Sequence, residues 1–89
     1  MALTSRQLRE LRATVVDEGG NRVTTAMKLL EITQAALADA IDESQPYISD
    51  VVRGRYSTIT LTKARKFAEY FGCSIEDLFP TRDLQESHR

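Results

Sequence analysis

The sequence predicts an all-α fold in a single small domain. Apolar residues recur at spacings of three and four along most of the chain, while capping residues, glycines and prolines divide it into short segments of helical length. Period-two alternation is confined to the stretch from Tyr56 to Leu61. With 89 residues, 42% of them hydrophobic and 28% charged, the chain has the composition of one folded domain. A multidomain enzyme is excluded by length.

Three helices are predicted in the N-terminal half. The first covers residues 3–17, where leucines recur on one face, and stops at two consecutive glycines. The second begins near Asn21, a good N-cap residue, and continues through the Val23 to Leu30 region. The third starts behind Thr33, and only a very short turn separates it from the next helix.

The fourth helix has well-marked ends. It covers Gln45 to Arg53, with Ser44 as its N-cap and Pro46 in the first turn, where a missing N–H costs nothing. Gly54 is expected to end it in the left-handed conformation.

Two further helices follow in the C-terminal half. Thr60 can cap a fifth helix, which carries apolar residues on one arc and ends at Gly72. A sixth, short helix opens with a capping box at Ser74 and stops before Pro80.

Composition also limits the chemistry. The single Cys73 and the single His88 have no partners of their own type, so we expect no disulfide framework, no metal site and no cofactor. No segment is apolar enough for a membrane span or a signal peptide, which predicts a soluble, cytoplasmic protein. With one His near the C-terminus, one Cys, no Gly-rich phosphate loop and no carboxylate pair with a pocket, we expect no enzyme.

Charge alternates along the chain although the net charge is only −1. Residues 31–50 contain five acids and no base, whereas residues 51–68 contain five bases and no acid. The basic stretch fits contact with an anionic partner, but a solvated helix surface gives the same pattern.

The fourth helix separates into two faces when 100° is assigned to each residue. The inner face is apolar, and the outer face offers amide, hydroxyl, carboxylate and guanidinium groups, which are the types that read base edges in the major groove. The outer residues are Gln45, Pro46, Ser49, Asp50 and Arg53. Two helices with so short a turn between them suit a helix-turn-helix reader, and a small helical bundle with a polar surface is the alternative.

The segment from Thr33 to Gly54 resembles the helix-turn-helix family of phage repressors, Cro proteins and restriction-modification controller proteins. The matching pairs and single residues are Thr33-Gln34, Leu37-Ala38, Ser44, Ile48-Ser49 and Arg53-Gly54. With the later helices included, the likeness covers about Val23 to Phe79. The resemblance implies a five-helix repressor-like domain over residues 21–80, with an N-terminal helical extension (1–20) and a C-terminal tail (81–89).

The resemblance also implies site residues. The positions expected to contact DNA bases are Gln45, Pro46, Ser49 and Asp50. The positions expected to contact phosphate are Gln34, Ser44, Tyr47, Arg53, Arg55 and Lys63, with Tyr47 serving the core, a phosphate or both. The extra N-terminal helix either covers the core or carries its arginines, Arg6, Arg9 and Arg12, toward DNA.

Several residues depart from the family pattern. Glu31 and Asp42 stand where Gly is frequent, and Glu43 replaces a small apolar residue, so we expect some loss of stability. Met27 and Val52 replace an Arg and Glu pair of many relatives, and we expect these two side chains to touch in the core.

Three carboxylates also lie beside the fourth helix. Asp42, Glu43 and Asp50 would repel phosphates that they faced, which predicts weak affinity or dependence on a second subunit.

These expectations combine into one function. The resemblance implies a bacterial or phage-derived, sequence-specific regulator of transcription that binds double-stranded DNA, most simply as a repressor dimer on an inverted repeat. The expected dimer contacts are Leu78, Phe79 and Leu84, and the apolar face of the N-terminal helix, with Leu8, Leu11, Val15 and Val16, is the alternative segment. The alternative is a protein-interaction module on the same fold, such as an antitoxin bound to its toxin or an adaptor.

Overall fold

A computed structural model describes residues 2–16, 20–55, 59–79 and 84–85 of the chain. In these ranges the elements are α1 (Ser5–Ala13), α2 (Val23–Leu30), α3 (Gln34–Ile41), α4 (Gln45–Val52), β1 (Ile59–Thr60), α5 (Leu61–Phe71), α6 (Ile75–Leu78) and β2 (Leu84–Gln85). The helical fold class predicted from the sequence is confirmed.

Four of the predicted N-caps are present in the structure. The hydroxyl oxygens of Thr33, Ser44, Thr60 and Ser74 each accept the backbone N–H of the third residue that follows, at 3.0–3.3 Å. Each hydroxyl thus satisfies a backbone donor that has no partner within its helix. Because capping depends on neighbours within one turn, these starts are readable from the sequence.

Left-handed residues end four of the helices. Glu31 and Asp42 have φ angles of 55° and 57°, and Gly54 and Gly72 both have φ of 71°. The two glycine terminators are therefore confirmed. The two acidic residues take the left-handed conformation that Gly adopts most easily, and they do so with a Cβ that is disfavoured there.

The first two helices begin or end differently from the prediction. Helix α1 stops at Ala13, because the next three residues are the β-branched run from Thr14 to Val16 and Thr14 is already extended. Asn21 is not the N-cap of α2. Its amide oxygen accepts the N–H of Val23 at 2.9 Å, while its amide nitrogen donates to the carbonyl of Val51 at 2.8 Å, so it connects α2 to α4.

One core is shared by the N-terminal segment and the later helices. Leu3 and Leu11 are buried in the same cluster as the apolar residues of α2 to α6. Leu78 and Phe79, which we expected at a dimer contact, are fully buried in this core. Their side chains are therefore not open to a second subunit.

Polar contacts fix α1 against α6. The guanidinium of Arg12 donates to both carboxylate oxygens of Asp77, at 2.8 and 3.2 Å. The guanidinium of Arg22 donates to the carbonyls of Thr14 and Asp77. Arg12 thus holds the fold together rather than extending toward DNA, whereas Arg6 and Arg9 are exposed.

A short parallel pairing joins the segment before α5 to the C-terminal region. Ile59 pairs with Leu84 and Thr60 with Gln85. The weak alternation near Tyr56 to Leu61 thus contains one short strand, and part of the predicted tail pairs with it. Tyr56 itself lies outside the described residues.

The predicted contact between Met27 and Val52 remains a prediction. Met27 is buried in the core. Val52 is half-buried and packs against the core cluster.

Candidate nucleic-acid interface

Helices α3 and α4 form the helix-turn-helix unit, joined by residues 42–44. Asp42 reverses the chain with its left-handed backbone, and the N–H of Glu43 then donates to the carbonyl of Ala38 at 2.9 Å. Ser44 starts α4 as its N-cap immediately afterwards. This arrangement satisfies the free backbone groups at both helix ends, so the turn is short and well defined.

The outer face of α4 is open to solvent as predicted. Gln45, Pro46 and Asp50 are exposed, and Ser49 is half-buried. On the opposite side, Ile48 and Val51 are buried in the core. The four predicted base-contacting residues therefore share one accessible surface of a helix whose other side anchors it.

Arg53 and Arg55 form the rim at the C-terminal end of α4. The N–H of Gly54 donates to the carbonyl of Val51 at 3.0 Å, and that of Arg55 donates to the carbonyl of Asp50 at 2.8 Å. These two bonds make a tight C-terminal turn that holds both arginine backbones in place. Both arginine residues are exposed, as phosphate contacts need to be.

The remaining predicted phosphate contacts differ in accessibility. Gln34 is the first residue of α3 and is half-buried, and Ser44 is exposed although its hydroxyl oxygen already caps α4. The Tyr47 ring lies 6.3 Å from the Phe67 ring, and its hydroxyl oxygen is buried. Tyr47 therefore serves the core, and a phosphate in solvent does not reach its hydroxyl.

Lys63 has a different position from the one expected of a phosphate contact. Its ammonium group lies 2.9 and 3.0 Å from the two carboxylate oxygens of Glu43, and 4.6 Å from the centroid of the Tyr47 ring. The ammonium group of Lys66 lies 2.7 Å from the same carboxylate. Lys63 is thus held within the chain by an ion pair and a cation–π contact.

Glu43 is the residue whose role sequence reasoning missed. We expected its carboxylate to repel phosphate, but only 11% of its side chain is exposed and two lysines surround it. The hydrogen bond from Lys66 lowers the pKa of Glu43, burial opposes this shift, and Lys63 adds to it. The spacing of Lys63 and Lys66 places them on one face of α5, but no local signal indicates the partner about 20 residues earlier.

Other reactive chemistry finds little support in the described ranges. Burial raises the pKa of the Cys73 thiol to about 11, which keeps it protonated and weakly nucleophilic at neutral pH. Among the described residues, no group of three or more acidic, His or Cys side chains is placed to hold a metal ion. None of the helices in these ranges is long and apolar enough to cross a membrane.

Comparison with known proteins agrees with this geometry. A family model described as helix-turn-helix matches residues 24–78, which is more than half of the chain and includes α3, α4 and α5 in full. No curated protein and no solved structure gave a match. Because the family match covers both the helix-turn-helix unit and the helices that brace it, the chain belongs to the helix-turn-helix family of the phage-repressor type, a family of DNA-binding transcriptional regulators.

Proposed function

We propose that the protein is a sequence-specific repressor of transcription that binds an inverted-repeat operator as a two-fold dimer. The observation that carries this proposal is the exposed face of α4, which presents an amide, a proline ring and a carboxylate beside a half-buried hydroxyl. These groups lie on α4, whose position relative to α3 is fixed by the short turn between the two helices. A repressor needs no further chemistry, since occupancy of the operator is enough to exclude a competing protein.

Base reading is assigned to the outer face of α4. The Gln45 amide offers a donor and an acceptor, which suits the paired groups of adenine in the major groove. Asp50 can accept from the cytosine amino group, and Pro46 can contact a thymine methyl. Arg53 and Arg55 supply phosphate contacts that position the helix without specifying sequence.

Dimerisation follows from the small size of one reading surface. A single helix contacts few base pairs, and members of this motif class combine two half-sites whose centres lie about 10 base pairs apart. Since Leu78 and Phe79 belong to the core, the dimer contact must use other residues. The C-terminal region around Leu84 remains the proposed contact, with Leu84 itself in β2.

Selection of bound duplexes from a random pool tests the proposal directly. We expect an inverted repeat, and sedimentation equilibrium with the selected duplex should give two chains per site. A monomer bound to an asymmetric site would refute the dimer. Selection that enriches no sequence would refute specific recognition.

A salt titration of binding to random duplex DNA measures the phosphate contacts separately from base reading. Arg53→Gln and Arg55→Gln should each reduce the slope of log affinity against log salt by about one and leave base preference unchanged. A protein-interaction module on the same fold would show no such salt-dependent DNA binding. That result would favour a protein partner, such as a toxin, over an operator.

A further inference from the structure

Glu43 forms a compact charged cluster with two lysines of α5. One carboxylate accepts three hydrogen bonds at 2.7–3.0 Å, two from Lys63 and one from Lys66. The lysine side chains remain 42% and 37% exposed, whereas Glu43 is 11% exposed. The cluster therefore has a shielded anion on the inside and two partly open cations on the outside.

The cluster lies beside the N-terminal end of α4, the helix that is proposed to contact bases. Glu43 is two residues before Gln45, within the turn that leads into α4. Lys63 lies over the ring of Tyr47, which is in the first turn of α4. Recognition helices of this class contact bases with their N-terminal residues, so DNA phosphates that flank the groove pass close to this end.

A carboxylate and a phosphate compete for the same lysine ammonium groups. Both are anionic oxygen acceptors, and each makes charge-assisted hydrogen bonds with ammonium donors. Glu43 is covalently tethered beside Lys63 and Lys66, so it holds them at a high effective concentration before DNA arrives. Lys63 gives two of its three N–H donors to Glu43 and Lys66 gives one. A phosphate that takes over these bonds displaces the carboxylate, which then loses its partners in a largely buried position.

We propose that Glu43 is an internal phosphate mimic that keeps Lys63 and Lys66 from binding the DNA backbone, and thereby limits the sequence-independent affinity of the domain. This inference rests on the proposed function, because it assumes that α4 docks on DNA. It assigns a specific role to the acid in the turn between α3 and α4. Base preference lies in α4 and is separate from this control of affinity.

The test is a salt titration of Glu43→Gln on random duplex DNA. The variant keeps the size of the side chain and removes its charge, so both lysines become able to contact phosphate. Two added contacts should steepen the log–log slope by about 1.8, and the loss of affinity between 50 and 200 mM salt should grow about tenfold. Glu43→Ala should act in the same direction, since it removes the competitor altogether.

The lysines provide the internal check. In the wild-type chain, the double change Lys63→Gln and Lys66→Gln should alter the slope little, because both cations are already engaged. In the Glu43→Gln background the same double change should abolish the added slope. Glu10→Gln is the matched control, since it removes one exposed negative charge on α1 and should leave the slope nearly unchanged.

The outcomes separate the two proposals. Steep salt dependence in the wild type with no effect of Glu43→Gln would overturn this inference and leave DNA binding intact. Equal steepening by Glu10→Gln would also overturn it, because net charge would then explain the effect. No salt-dependent binding by the wild type would overturn both proposals. Urea unfolding of each variant detects a purely structural role, which would change stability and leave the salt slope unaltered.

Discussion

Replacement of Glu31 by glycine should stabilise the protein. Glu31 ends α2 with a φ of 55°, in the left-handed region where a Cβ crowds the backbone. That conformation costs a residue with a side chain about 1–2 kcal/mol, while glycine loses about 0.5–1 kcal/mol through its greater freedom in the unfolded chain. The net backbone gain is about 0.5–1 kcal/mol.

The helix dipole adds to this gain. Glu31 places a negative charge at the C-terminal end of α2, where a negative charge is unfavourable by about 0.3–1 kcal/mol at an exposed site. The total expected for Glu31→Gly is therefore about 1–2 kcal/mol. In a domain of this size each kcal/mol of added stability raises Tm by about 4–8 °C.

Glu31→Ala separates the two contributions. It removes the same charge but keeps a Cβ in the left-handed conformation, so it should recover only the electrostatic part. Urea unfolding should show a higher midpoint for the glycine variant with an unchanged m value. If the alanine variant is as stable as the glycine variant, backbone strain at Glu31 is refuted. Asp42→Gly, at a φ of 57°, should gain less because aspartate tolerates this conformation better.

Gln45→Ala should lose about 1–3 kcal/mol of binding at one base position of the selected operator while binding to random duplex stays nearly constant, and an equal loss on both DNAs would make Gln45 a positioning contact. The hydrogen bond from Arg12 holds the pKa of Asp77 below its ordinary value. The stability that this ion pair contributes is therefore present at neutral pH and is lost as the pH falls below about 4. Asp77→Asn should reduce the fall of the urea unfolding midpoint between pH 7 and pH 2.5. An unchanged fall in the variant would contradict the assignment. Met27→Arg should lower the free energy of unfolding by about 3 kcal/mol or more, because it buries an unpaired charge, and adding Val52→Glu should restore much of this loss. Additive losses in a double-mutant cycle measured by thermal unfolding would mean that the two side chains do not meet.

From Thr33 onward, the helix starts and stops were readable from the sequence because their causes are local. A hydroxyl at Thr33 or Ser44 reaches an N–H three residues later, and a glycine at position 54 or 72 ends a helix through its own backbone freedom. The outer face of α4 was readable for a similar reason, since helical periodicity within eight residues separates its two sides. The family resemblance adds what those residues contact in relatives.

The partners of charged and apolar side chains were decided only by the tertiary structure. Lys63 matched a phosphate contact in the sequence, yet its nearest anion is Glu43, brought close by the packing of α3 against α5. From the sequence, Arg12 was one of three arginines on an extra helix with no identified partner. In the structure it donates to Asp77 of α6. Leu78 and Phe79 looked available for a dimer because their position is near the end of the predicted domain, and the fold covers both completely. In each case residues distant in sequence determine the outcome, and periodicity within a single helix carries no information about them.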